Sequence, residues 1–200
     1  MIDYDICKEK LKSILSEKRF IHSVNVSIAA EKLAVRYGTD AEKAKIAGLL
    51  HDVCKEMGEK TLSELLSETK PEIFNAFKKF PFKLYHGPAA TVYLPKEFGI
   101  DDEEILNSIC FHTTGRKNMT IMEEIIFVAD AISDERSFDN LKELQEMSLE
   151  NIDTVAIQKC TWAIQKCINK RITIHPYTVA TYNDMIEKEG NQYDGRRKGK

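Results

Sequence analysis

The chain has 200 residues and five histidines, and what surrounds each histidine limits what it can do. His51 and Asp52 are adjacent and close the apolar run Ala47-Gly48-Leu49-Leu50. Alone, such a pair reads as a helix end emerging into solvent, because burying either group without a partner is costly. Three other positions change that reading. His22 precedes Val26, Ala29 and Leu33 by helical steps and therefore faces inward with them. His112 follows Ile105 and Ile109 by helical steps, and Asp130 follows Met122 and Ile126 in the same way. Inward-facing imidazoles and carboxylates each need a buried partner. One metal centre supplies all of them, with ligands projecting from facing helices of a bundle. His86, just before Gly87-Pro88, is a further candidate ligand. A set of nitrogen and oxygen donors suits Fe, Mn, Zn, Co or Ni.

The elements that must carry these residues have helical rather than strand spacing. Cys7, Leu11, Ile14 and Leu15 mark one face of a first helix. Val26, Ala29, Ala30, Leu33 and Tyr37 mark a second, which Gly38 can end. Asp40 can cap a third, with Ala44, Ala47 and Leu50 inward. Capping boxes are expected at Thr61 with Glu64, Asp101 with Glu104, and Thr120 with Glu123. A long helix is expected from about Leu149 to Lys170, with Val155, Ala156, Trp162, Ala163 and Cys167 inward. A last helix should open at Pro176 and bury Val179, Tyr182, Met185 and Ile186. Lys78 to Pro88 reads as an ordered loop, and Pro95 should end or kink the helix that Pro88 opens. These elements predict an all-α helical bundle with the metal centre between core helices. Residues 1–189 form a single domain in this reading, and 190–200 a basic, disordered tail.

Composition narrows the partners. Hydrophobic residues are 42% and charged residues 30%, with a net charge of −3, so neither a nucleic acid polymer nor an anionic membrane is expected. The cysteines (Cys7, Cys54, Cys110, Cys160 and Cys167) are odd in number and form no C-x-x-C, which favours a reducing compartment. The acidic N-terminal segment is no signal peptide, and no apolar run reaches membrane-spanning length. A soluble, cytoplasmic protein is expected, and a homodimer stays open.

In the order His22, His51-Asp52, His86, His112, Asp130, the set resembles the HD-domain metal-dependent phosphohydrolases. His22, His51, Asp52 and Asp130 match the signature ligands of that superfamily, and His86 and His112 the extra histidines of its two-metal members. The stretches Arg19-Phe20-Ile21-His22-Ser23, Tyr85-His86-Gly87, His112-Thr113-Thr114-Gly115-Arg116, Val128-Ala129-Asp130 and Ile174-His175-Pro176 narrow the likeness to the YqeK-type HD family. Those bacterial hydrolases cleave diadenosine tetraphosphate symmetrically into two ADP. The likeness runs from about Lys18 to about Asn183. The chain departs from the family pattern at Ala131, Ser133 and Asp134, where an aromatic and Glu-Pro are usual, and at Tyr182.

The resemblance implies two metal ions, iron first among the candidates, with Asp52 bridging them as a catalytic carboxylate. His22, His51 and Asp130 would complete one metal's shell, and His86 and His112 the other's. Arg116 is expected to be catalytic and to contact substrate, because guanidinium binds phosphate in a bidentate way. Lys18, Arg19, Lys55, Thr113, Thr114, Gly115 and Lys117 are expected as further substrate contacts. His175 is expected to pack or touch substrate rather than bind metal. The alternatives are an HD phosphohydrolase acting on another nucleotide (a deoxynucleotide or a guanosine alarmone), or a nucleotide-binding HD protein without catalysis.

Overall fold

A computed structural model describes residues 3–137 and 139–197, with side chains as far as 190. It contains α1 (Tyr4–Ile14), α2 (Glu17–Tyr37), α3 (Ala41–Leu50), α4 (Glu59–Ser67), α5 (Pro71–Phe77), α6 (His86–Phe98), α7 (Glu103–Phe111), α8 (Ile121–Ile132), α9 (Leu141–Glu150), α10 (Ile152–Lys170) and α11 (Pro176–Arg197). A short 3-10 turn, Phe82–Leu84, precedes α6. There is no strand among the described residues, as the helical spacing predicts. The side chains of 191–200, most of the predicted basic tail, lie outside the described residues. No described helix is long and apolar enough to cross a membrane.

The middle of the bundle is α8. Every residue from Met122 to Ile132 is buried except Asp130, and a helix apolar nearly all round must be surrounded. It packs against α2, α3, α7 and α10. Two close approaches set the rest. A Cβ at Gly48 of α3 would lie 2.9 Å from both the Ser27 Cα and the Val26 carbonyl oxygen of α2. A Cβ at Gly87 of α6 would lie 2.8 Å from the Cys110 carbonyl oxygen of α7. Gly48 is one turn before His51, and Val26 one turn after His22. Gly87 follows His86, and Cys110 precedes His112 by two. The two glycine contacts therefore bring the histidines together in pairs.

Several boundaries differ from the sequence expectation. The Thr120–Glu123 capping box is present, with both reciprocal bonds. Thr61 instead lies inside α4, which starts at Glu59 after Gly58. The cap of α7 is Asp102, not Asp101, and it accepts from the amides of Glu104 and Ile105. Leu149 belongs to α9, because Asn151 caps a separate α10. Trp162, Ala163 and Cys167 are only half-buried. The expected loop before Pro88 is partly helical, since α6 already begins at His86. It runs through Pro95 to Phe98 and ends at Gly99, in left-handed conformation. Pro95 sits in the last turn, where its missing N–H removes one bond and burial of Leu94 holds the helix. On α11 the inward residues are Thr178, Thr181, Asp184 and Met185, while Val179 and Ile186 are exposed. The sequence expectation lacks α5 and α9, although Leu141, Leu144 and Met147 of α9 recur at helical spacing.

Gly48→Ala should destabilise the protein by about 1–3 kcal/mol, because α2 and α3 must move apart to admit the methyl group. Chemical denaturation measures this, and an unchanged midpoint would contradict the close approach.

Candidate metal centre

The six expected ligands come together. His22 reaches in from α2, His51 and Asp52 from the end of α3, His86 from the start of α6, His112 from the end of α7, and Asp130 from α8. All four histidines and Asp52 are buried. His22 Nε2 lies 3.2 Å from His51 Nε2 and 3.2 Å from Asp130 Oδ1. His86 Nε2 lies 3.1 Å from His112 Nε2. Asp52 stands between these groups. Its Oδ2 faces His51 at 3.5 Å and His22 at 3.8 Å, and its Oδ1 faces His86 at 3.2 Å and His112 at 3.5 Å.

The outer contacts decide where the ring protons sit. The Nδ1–H groups of His51, His86 and His112 donate to the carbonyls of Gly48, Lys83 and Ile109, at 2.7, 2.9 and 2.7 Å. A carbonyl only accepts, so each neutral ring presents an Nε2 lone pair to the centre. The Lys55 ammonium donates to His86 Nε2 at 3.0 Å, which requires the same tautomer. His22 Nδ1 is paired with the Glu135 carboxylate. Such partners are the usual means of orienting a metal-binding imidazole. Burial pushes His112 down to about 3 and also lowers His86, so both stay neutral near pH 7.

The residues fit a divalent metal. Lone pairs face each other across 3.1–3.2 Å with no proton between them, and buried Asp52 Oδ1 has no hydrogen-bond partner. A cation bound by both sides satisfies all of these groups. Two ligand groups have donor atoms within metal-binding reach of one another: His22 with His51 and Asp130, and His51 with Asp52 and His112.

Cations surround the carboxylates. Arg19 Nη1 lies 2.8 Å from Asp52 Oδ2, and Lys55 Nζ 3.5 Å from Asp52 Oδ1. Lys159 lies 2.9 Å from Asp130 Oδ2 and donates to the carbonyls of His112 and Phe127. Burial works against the Asp130 charge, but Lys159 together with His22 and His51 outweighs it and holds the carboxyl well below the usual carboxylate range. Arg136 covers the outer side of Asp130, donating to its Oδ1 at 2.7 Å and to its carbonyl.

The expected substrate contacts divide. Lys18 and Arg19 line a cavity with His22, Glu135, Arg136 and Ser137. Lys55 and Thr113 also reach the centre, with Thr113 Oγ1 lying 3.1 Å from His112 Nε2 and 3.3 Å from His86 Nε2. Thr114 is buried, and its hydroxyl donates to the Gly115 carbonyl. Gly115 has φ +63° and lies against Thr181, leaving no room for a side chain. Arg116 is held in a bidentate pair by buried Glu123 and stacks 4.6 Å from the Phe111 ring centre. With exposed Lys117 it lines a different cavity, beside Tyr177 and Asn107. The carboxylate buried in the first turn of α8 needs a counter-charge, and Arg116 provides it.

Sequence reasoning missed Glu135, Arg136 and Lys159. Lys159 had a signal, since it follows Val155 and Ile152 at inward helical spacing. Glu135 and Arg136 follow the end of α8 at Ile132, where no periodicity applies.

An all-α bundle with imidazoles and carboxylates converging from separate helices is of the class that builds metal centres in its core. Residues 19–134 match the HD domain model, and the chain belongs to the HD-domain family. The symmetrical bis(5′-nucleosyl)-tetraphosphatase of Halalkalibacterium halodurans is 34% identical over 176 residues, covering 88% of this chain and 93% of that protein. The protein of the same name from Bacillus subtilis is 32% identical over 176 residues, covering 88% and 94%. The crystal structure of a predicted HD superfamily hydrolase involved in NAD metabolism from Clostridium acetobutylicum is also similar. It has a TM-score of 0.84 and 35% identity, covering 94% of this chain and 99% of that one.

The fifth histidine, His175, packs instead against Phe77, Phe80 and Tyr177. Its Nε2 faces the Ala76 carbonyl at 3.2 Å, and its Nδ1 accepts from the Tyr177 amide. Burial lowers its pKa to about 4. An unfolded histidine titrates near ~6.5, so the unfolded chain takes up the proton first. His175 therefore costs nothing above that pH and destabilises progressively as the pH falls towards 4. A His175→Phe variant should lose less stability than the parent between pH 7 and pH 4 in urea titrations. Equal losses would contradict the buried neutral ring.

Proposed function

We propose that the protein is a metal-dependent hydrolase that cleaves diadenosine tetraphosphate, and related dinucleoside tetraphosphates, symmetrically into two nucleoside diphosphates. The observation that carries this is the buried Asp52 carboxylate, one oxygen without a hydrogen bond, set between two pairs of facing Nε2 lone pairs. The names of the similar tetraphosphatases support the substrate. In this reading His22, His51, Asp52, His86, His112 and Asp130 hold two divalent metal ions, iron being the preferred pair, in a cytoplasmic enzyme. Bound there, the metals would supply Lewis-acid stabilisation of phosphoryl charge and lower the pKa of a water molecule.

The chain's own residues do the rest. Glu135 and the carbonyls of Gly48, Lys83 and Ile109 keep the imidazoles in one tautomer and orientation. Lys18, Arg19 and Lys55 offset the charge of a tetraphosphate, and the Thr113 hydroxyl offers a hydrogen bond beside His86 and His112. Attack of water on an inner phosphorus breaks its bond to the central bridging oxygen and releases a nucleoside diphosphate. That product leaves as a stable anion, so a strong general acid is not required. Arg116 acts here as a positioning residue, bracing the 113–117 loop through Glu123.

Protein loaded anaerobically with Fe(II) or Mn(II) should convert diadenosine tetraphosphate to ADP alone. Formation of AMP with ATP, or no turnover with either metal, would refute the symmetrical reaction. His51→Ala should lose bound metal while keeping its helical spectrum. Its turnover should fall by more than the roughly 100-fold typical of losing an outer partner. Full metal content and activity in that variant would remove His51 from the ligand set.

A further inference from the structure

We propose that Arg136 is a phosphate-positioning residue, paired with Arg19 as a two-arginine clamp at the mouth of the metal centre. The clamp would hold the phosphate groups of a polyphosphate that lie beyond the scissile bond. The substrate class rests on the function proposed above, but the clamp itself is read from the arrangement of charges and donors.

Arg19 enters from α2 and Arg136 from the turn after α8, and both line the cavity that contains His22. Each side chain is about one-third exposed, at 31% and 34%. Neither has spent its donors. Arg136 uses Nε and Nη2 on Asp130, and its Nη1 makes no hydrogen bond among the described residues. Among the described residues Arg19 donates through Nη1 alone, to Asp52. Arg116 differs, because it gives both Nε and Nη2 to a buried carboxylate.

The carboxylates can also spare these two arginines. Asp130 keeps an ammonium on its other oxygen, because Lys159 lies half-buried beneath it. The three N–H donors of Lys159 match its three acceptors: Asp130 Oδ2 and two carbonyls. Lys159 is therefore committed to the protein, while Arg136 can turn to a ligand without leaving Asp130 unpaired. Asp52 similarly retains Lys55 if Arg19 moves. Lys18 adds a third cation to the cavity wall, and the one acid among its described lining residues, Glu135, is occupied by His22, Asn25 and Ser133. Two guanidinium forks lining one cavity suit phosphate groups, which guanidinium binds in a bidentate way.

The test is calorimetric titration of ADP into Mn(II)-loaded and metal-free protein, for the parent, Arg136→Gln and Arg136→Lys. Metal content, helical spectrum and steady-state kinetics on diadenosine tetraphosphate are measured on the same samples. Arg136→Gln should weaken ADP binding roughly 10-fold or more, as expected for lost hydrogen bonds to a charged group. It should raise KM by a similar factor with kcat and metal content nearly unchanged, and Arg136→Lys should recover part of the affinity. Unchanged ADP affinity in Arg136→Gln would overturn the clamp and leave Arg136 as a counter-ion for Asp130. Loss of metal, or a fall in kcat at constant KM, would overturn it too. If Arg136→Gln does not fold, parental ADP affinity and KM in Arg136→Lys would overturn the bidentate contact. ADP binding needs no turnover, so a parent protein that fails to make ADP refutes the proposed reaction without deciding the clamp.

Discussion

Buried lone pairs that face one another without a proton between them are the constraint on which this structure depends. His22 and His51 meet through Nε2, as do His86 and His112, and Asp52 places a carboxylate between them. In a protein interior such an arrangement is unfavourable unless a positive charge is supplied. The bundle resists any easy relaxation, since three rings are tied by Nδ1 to backbone carbonyls and the fourth to Glu135. Such preorganisation suits a cation site as much as the identity of the donor atoms does.

That geometry is imposed by helix packing. The close approaches at Gly48 and Gly87 bring α3 to α2 and α6 to α7, each beside a histidine pair. Central α8 then contributes Asp130, the only residue between Met122 and Ile132 that is not buried. The ligands therefore sit on or at the ends of regular helices, where rotation about a loop cannot misplace them.

The charges are arranged in depth. Lys159 lies beneath Asp130 with all its donors committed, and Lys55 lies beside His86 and Asp52. Arg19 and Arg136 lie farther out, with donors to spare. The inner cations fix the carboxylates, and the outer ones face incoming anions. A chain with a net charge of −3 can thus present a locally positive entrance, which its average composition hides.

The sequence alone determined the helical class and the inward facing of several polar residues, because a polar residue in register with an apolar stripe must face inward. His22, His112 and Asp130 were legible in this way, and Lys159 was equally legible but not read. Tertiary structure decided what periodicity cannot express. Chain connectivity placed Arg116 beside His112, yet the loop carries its guanidinium to Glu123 and into another cavity. Glu135 and Arg136 lie past the last helical turn of α8, where direction depends on the path of the chain. Their partners, His22 and Asp130, are known only once α2 and α8 have packed. A helix repeats its geometry every 3.6 residues, so its faces can be read locally. A turn has no such period, and its contacts exist only in three dimensions.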